Sequence, residues 1–307
     1  MPNRDGRFAP SPTGTLHVGN LRTALLAWLF ARSAGARFAM RVEDLDRGRV
    51  KPGLEQAQLA DLRAIGIDWD GPVVRQSERL ERYADAIARL EADGRLYPCW
   101  CTRAEVRAAA SAAHGPLPEG AYPGTCRELT AAERAERERD GRPPALRLRA
   151  EGVAIAFDDR VLGQQEGAVD DFVIARGDGT PAYNLAVVVD DAEQGVGEVV
   201  RGADLVDSTP RQLLLGRLLG LPAPSYAHVP LVLGPDGARL AKRHGAVSLQ
   251  DRIVLGETPA QVVSGLAVSA GLAEPGEQVA AGDLVERFDP ARLERAPTVL
   301  SPPPAPS

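Results

Sequence analysis

Within its first 46 residues the chain runs through a short strand, a loop of prolines and small residues, an apolar-periodic helix and a second strand. Arg7-Phe8-Ala9 reads as the strand and Pro10-Ser11-Pro12-Thr13-Gly14 as a tight loop. Leu16, Val18, Leu21, Leu25, Leu26 and Leu29 then recur at helical spacing through Arg32. Phe38-Ala39-Met40-Arg41-Val42-Glu43 alternates apolar and polar residues and ends in the acidic run Glu43-Asp44-Leu45-Asp46. Two strands joined by one crossover helix pair in parallel, and a parallel sheet needs helices on its faces. Further helices are expected over about 54–65 and 78–93, so the reading is an α/β protein with a doubly wound parallel sheet. At 307 residues the chain can bury a full core. No stretch approaches the ~18 consecutive apolar residues of a membrane span. Met1 to Gly6 carries no charged region followed by an apolar one, so a soluble, cytoplasmic protein without membrane contact, monomeric by default, is expected.

Residues 1–96 read as the first half of this sheet domain. After Tyr97 the composition changes, and 97–182 reads as an insertion that contains all three cysteines. Helix starts are expected at Thr102 with Glu105 and at Thr130 with Glu133. Runs at 146–148, 153–155 and 172–174 suggest an antiparallel patch. The parallel pattern is expected to resume as a strand at Tyr183-Asn184-Leu185-Ala186-Val187-Val188-Val189, within a second half spanning 183–245. A helix is expected near Ser208 and a strand over Tyr226 to Leu233. Residues 246–296 read as a short helical segment and 297–307, rich in proline, as a disordered tail.

The loop at 10–14 leads into His17-Val18-Gly19-Asn20, where a helix N-terminus offers unpaired N–H groups to phosphate and His17 and Asn20 add side-chain donors. The segment from Arg7 to Asn20 resembles the first signature motif of class I aminoacyl-tRNA synthetases, in the glutamyl/glutaminyl branch. Arg239-Leu240-Ala241-Lys242-Arg243 is similar to that family's second motif, with arginine at the first basic position and alanine in place of serine. The 36 basic residues comprise 34 arginines and only two lysines, so a lysine kept at position 242 stands out. The resemblance spans about residues 6–250. It implies a Rossmann-like catalytic domain in which His17, Gly19, Asn20, Arg239 and Lys242 bind ATP with its Mg²⁺, and His17, Asn20 and Lys242 stabilise the reacting phosphates.

The same resemblance places Arg7, Ala9, Ser11, Glu43, Tyr183 and Arg201 around L-glutamate. Arginines suit its two carboxylates, and Glu43 suits its ammonium. Cys99-x-Cys101 and Cys126 supply three thiolates, one short of the four ligands of a structural zinc. Coordination chemistry alone favours His114 as the fourth. A short branch of the family, similar in its Cys-x-Cys and Tyr-x-x-x-Cys pattern, implies Tyr122 instead, with one structural Zn²⁺ stapling the insertion. That branch is also resembled by Asp204-Leu205-Val206-Asp207-Ser208-Thr209-Pro210-Arg211-Gln212. It implies activation of glutamate by ATP without tRNA, then transfer to queuosine in the anticodon loop of tRNA(Asp). The roughly sixty residues after Ala246 are too few for a large helical anticodon-binding domain, which agrees with this expectation. The alternatives are a minimal glutamyl-tRNA synthetase charging a tRNA 3′ end, or a silent nucleotide- or RNA-binding regulator. The net charge of −6 limits any RNA contact to a local basic groove. The arginine-rich stretch from Arg134 to Arg149 carries interleaved acids and is assigned no role.

Overall fold

The structure, a computed structural model, describes residues 2–112, 121–240, 244–245 and 247–299. The expected opening unit is present: β1 (Gly6–Phe8), α1 (Val18–Ser33) and β2 (Phe38–Val42), with Arg7 paired in parallel to Ala39. α2 (Leu54–Ala64) leads to β3 (Val74–Arg75), which pairs in parallel with β2, and α3 (Leu80–Ala92) follows. β4 (Leu96–Cys99), α4 (Arg103–Ala112), α5 (Ala131–Arg139) and β5 (Ala145–Leu148) come next. α5 starts where Thr130 and Glu133 form a reciprocal capping box, as their spacing predicts. β4 and β5 form an antiparallel sheet with β8 (Val173–Ala175), in the order β4-β5-β8.

Of the expected antiparallel patch, the run near 153–155 belongs elsewhere. It opens β6 (Ala154–Asp159), which pairs antiparallel with β7 (Gly163–Ala168) but joins the parallel sheet through β10 (Ser225–Val229). Part of the stretch 97–182 therefore extends the parallel sheet, because Ile155 is buried in the same cluster as Tyr226. β9 (Glu198–Gly202) pairs in parallel with β10, giving the order β7-β6-β10-β9. This sheet abuts β1, where the Gly197 and Glu198 N–H groups donate to the Asp5 carbonyl at 2.9 and 3.1 Å.

The run from Tyr183 is not a strand. It forms α6 (Tyr183–Glu193), despite the β preference of three successive valines. Tertiary burial overrides that preference: Leu185, Ala186 and Val189 enter a core cluster with Leu213, Leu215 and Tyr226. α7 (Thr209–Leu218) packs beside α6, preceded by a 3-10 turn over Ala203–Ser208. Beyond β10 come β11 (Val232–Leu233), α8 (Leu249–Val254) and α9 (Pro259–Ser269). The expected tail at 297–307 begins differently, because Thr298–Val299 form β12, in parallel with β11. Residues 300–307 lie outside the described residues.

α1 is buried on nearly all sides, with Leu21, Leu25, Leu26 and Leu29 at 0% exposure, because both the sheet and the C-terminal segment cover it. The Phe30 and Phe288 rings meet edge to face at 5.1 Å. No helix among the described residues is long and apolar enough to cross a membrane.

Asp190, fully buried, is the hub between α6, α3 and β2. It accepts hydrogen bonds from Gln76 Nε2 at 2.8 Å, Arg79 Nε at 2.7 Å and the Tyr83 hydroxyl at 2.9 Å, and Arg41 Nε lies 3.7 Å away. Removing one partner from a buried charge cluster leaves the others desolvated, so Asp190→Ala is expected to cost about 3–5 kcal/mol. Urea unfolding measures it; a loss below about 1 kcal/mol, the scale of an exposed pair, would contradict the hub.

Candidate active site

The carboxyl ends of β1, β2 and β9 open onto a cleft of about 730 Å³. Open α/β sheets bind ligands at this edge. Arg7, Ala9, Ser11, His17, Gly19, Asn20, Glu43, Tyr183, Arg201 and Arg239 all line it. Thus the amino-acid and nucleotide residues expected from two distant motifs share one cavity. Lys242 lies outside the described residues. Its flanks do not: Leu240 lines the cleft, and the Val18 N–H donates to the Val247 carbonyl at 2.6 Å.

His17 is the N-cap of α1. Its Nδ1 accepts from the Asn20 N–H at 3.1 Å, and Asn20 Oδ1 accepts from the His17 N–H at 3.1 Å. The two residues therefore cap each other, which leaves His17 Nε2 and the Asn20 amide nitrogen as their remaining donors. Burial pushes the His17 pKa below its usual 6.5, so at neutral pH the ring is neutral with its proton on Nε2. Gly19 leaves room for this ring: a Cβ there would stand 3.0 Å from it. Gln58, buried beneath the loop at 10–14, donates through Nε2 to the Ser11 and Gly14 carbonyls at 3.0 and 2.7 Å. Arg239 is ion-paired with Asp204 across the cleft mouth.

Arg7 is not a loose fork. Arg7 donates through Nε and Nη2 to Asp191 at 3.2 and 3.3 Å and through Nη1 to the Val200 carbonyl at 3.2 Å. With five N–H groups in all, it keeps one on each terminal nitrogen for the cleft. Arg41, at 0% exposure, sits behind it, 2.7 Å from Asp191 and 3.4 Å from Glu43. Burial opposes the Arg41 charge, yet Asp191, Glu43 and Asp190 together hold its pKa above the usual value. Glu43 is raised by burial, against the pull of Arg41 and Arg7, so a cation arriving beside it would relieve an unfavourable charge.

Sequence reasoning placed the charges that face the cleft and missed those that hold them. Asp191 is one of the supports that were missed. Its signal was an Asp-Asp pair ending an apolar run, and only in a helix do Tyr183, Asp190 and Asp191, seven and eight residues apart, share a face.

The cysteines form a second cluster, with the Sγ atoms of Cys99, Cys101 and Cys126 within 4.8 Å of one another. The Tyr122 hydroxyl lies 3.4 Å from Cys99 Sγ and 3.9 Å from Cys101 Sγ, and Cys101 and Cys126 Sγ are 3.5 Å apart. Ligands about 2.3 Å from a tetrahedral zinc are separated by about 3.8 Å, so three sulfurs and one oxygen at these distances fit such an ion. His114 lies outside the described residues. Arg147 stacks on Tyr122 at 3.7 Å, and Arg149 lies over Tyr97 at 4.9 Å. These two arginines of the unassigned basic stretch thus brace the cluster, while α5 has no buried residue. Asp170 ties the cluster to α7, accepting from the Tyr122 N–H at 3.0 Å and from Arg211 Nε at 2.7 Å.

A parallel sheet with a helix N-terminus and a charged cleft at its carboxyl edge defines a nucleotide-binding α/β enzyme domain. The chain belongs to the class I tRNA synthetases (E and Q), whose catalytic domain matches residues 5–290, and it is thereby a class I aminoacyl-tRNA synthetase-like ligase. It is 62% identical over 296 residues to the glutamyl-Q tRNA(Asp) synthetase of Nocardia farcinica, covering 96% of this chain and 93% of the relative. It is 43% identical over 308 residues to glutamate–tRNA ligase 1 of Halorhodospira halophila, covering 96% of this chain and 65% of that protein. Among solved structures, a glutamate tRNA ligase from Elizabethkingia meningosepticum in complex with its amino acid superimposes with a TM-score of 0.82 at 28% identity, over 98% of this chain and 68% of the other.

Arg7 and Arg41 hold the Asp191 pKa below its usual 3.8 against the effect of burial. A carboxylate depressed in the fold contributes stability that is fully present above the unfolded value and lost as pH falls through the folded one. Asp191→Asn is therefore expected to lower the melting temperature at neutral pH, with the deficit closing below pH 3.8. A deficit unchanged down to pH 2, about two units lower, would contradict the ion pairs.

Proposed function

We propose that this enzyme activates L-glutamate with ATP in the absence of tRNA and transfers the glutamyl group to queuosine in the anticodon loop of tRNA(Asp). The observation that carries the reading is the single cleft in which Arg7, Arg201 and Glu43 face the helix terminus at His17 and Asn20. The preference for queuosine over a tRNA 3′ end is supported by the relatives: identity is 62% to the Nocardia farcinica protein across nearly its whole length.

In this reading Arg7 and Arg201 hold the carboxylates of glutamate, with Ala9 and Ser11 beside them, and Glu43 and Tyr183 face its ammonium. One carboxylate oxygen attacks the α-phosphorus of ATP, the bond to the β-phosphate breaks, and pyrophosphate leaves. His17 Nε2, the Asn20 amide and Lys242 stabilise the phosphate charge by position and electrostatics. A queuosine hydroxyl then attacks the carbonyl of the mixed anhydride, loses its proton and releases AMP. The anhydride is already activated, so no protein nucleophile is required. Mg²⁺ bound with ATP would supply charge neutralisation at the phosphates. Cys99, Cys101, Cys126 and Tyr122 would hold one Zn²⁺, which fixes the lobe and takes no part in the reaction.

The test is labelled glutamate and ATP with unmodified or queuosine-containing tRNA(Asp). Label is expected only on the modified tRNA, and ester on the 3′ adenosine alone would point to a minimal glutamyl-tRNA synthetase instead. Lys242→Ala is expected to lower glutamate-dependent ATP–pyrophosphate exchange by about 10²-fold or more with an unchanged melting temperature. Near-normal exchange would remove that loop from the mechanism. Metal analysis is expected to find one zinc per chain and none in Cys126→Ser; freely titratable thiols in the purified protein would reject the site.

A further inference from the structure

We infer that His228, held by Asp159, is the positioning residue that aims Arg201 at a carboxylate of the substrate. The inference rests on the preceding reading of Arg201 as a glutamate ligand.

His228 lies in β10 at 0% exposure, between Asp159 at the end of β6 and Arg201 in β9. Its Nδ1 is 2.6 Å from Asp159 Oδ2, and its Nε2 receives the Arg201 Nε–H at 3.1 Å. Arginine donates at every nitrogen and accepts at none, so Nε2 must present a lone pair. The ring is therefore neutral with its proton on Nδ1, shared with Asp159. Asp159 cannot turn away, because its Oδ1 also accepts from the Val161 and Leu162 N–H groups at 2.9 and 2.8 Å. Burial holds the His228 pKa below 6.5, against the pull of Asp159. The other ionisable groups that act on the ring are Arg201 and, from the turn after β9, Asp204, and the Tyr226 ring stacks on it at 6.0 Å.

The rest of the Arg201 guanidinium is fixed by neutral groups. Nη1 donates to Gln212 Oε1 at 2.7 Å, and Nη2 donates to Thr209 Oγ1 at 2.8 Å and to the Leu205 carbonyl at 3.3 Å. Four of five N–H groups are thereby committed, and one, on Nη1, is left for the cleft. The contrast with Arg7 explains the choice of histidine. Arg7 spends its Nε edge on a carboxylate, whereas among the described residues Arg201 has no acidic hydrogen-bond partner. A neutral imidazole fixes the plane of Arg201 and leaves its positive charge for the ligand. His17 and His228 are held in opposite tautomers, with the proton on Nε2 in His17 and on Nδ1 in His228.

Two measurements test this on the full chain. In glutamate-dependent ATP–pyrophosphate exchange, His228→Leu is expected to raise KM for glutamate about tenfold or more, with kcat and KM for ATP within about threefold of wild type. His228→Gln places an acceptor near the position of Nε2 and is expected to recover most of the loss. An unchanged glutamate KM in a folded His228→Leu, a parallel rise in KM for ATP, or a glutamine variant as impaired as the leucine one would each overturn the inference. ¹⁵N NMR of labelled histidine is expected to show His228 as the neutral Nδ1–H form at pH 7, and an Nε2–H or doubly protonated ring would overturn it independently of activity. A wild-type protein without exchange contradicts the proposed reaction instead, and the NMR result then decides the Asp159–His228–Arg201 geometry by itself.

Discussion

Asp191 sits between two buried guanidiniums, Arg7 and Arg41, and the floor of the cleft depends on that triad. Its carboxylate is within 3.2 Å of Arg7 and 2.7 Å of Arg41, and a second carboxylate one residue away anchors Arg41, Arg79 and Tyr83. Buried charges persist only when paired and hydrogen-bonded. These pairs cross four elements, β1, β2, α3 and α6, so they fix the relative position of the strands whose ends form the site. The result is a rigid base from which Arg7 offers only the N–H groups it does not use on its own scaffold.

Two styles of arginine support face each other in one pocket. Arg7 is braced by a charge and Arg201 by neutral acceptors, so the pocket carries a graded rather than uniform positive field. Glu43, raised by burial, is the opposing pole. The arrangement suits a ligand bearing two negative groups and one positive group, and it lies beside the capped start of α1, whose free N–H groups suit a phosphate. The cysteine lobe is joined to the same framework through Asp170, which bonds both Tyr122 and Arg211.

Much of this was legible from local pattern. The first β-α-β unit, the capping box at Thr130 and the three close cysteines follow from spacing and residue type, because each is decided within a few residues. The elements whose local pattern is overridden depend on distant partners. Tyr183 to Val189 carries strand propensity and becomes a helix because the core around Leu213 and Tyr226 accepts a helical face. Thr298–Val299 looks like a tail and becomes a strand because β11 offers it an edge. The cleft charges were visible as single residues; their supports, His228 for Arg201 and Asp191 for Arg7, stand 27 and 184 positions away and leave no local signature.

The central claim is that one cleft, in which Asp191 braces Arg7, receives an amino acid and a nucleotide together. Calorimetric titration with a non-hydrolysable glutamyl-adenylate analogue tests it most directly. The account predicts that the analogue binds more tightly than glutamate or ATP alone, and that Asp191→Asn weakens the analogue and glutamate while ATP binding is preserved. Binding of the analogue no tighter than ATP, or an Asp191→Asn protein with unaltered affinity for it, would contradict the account.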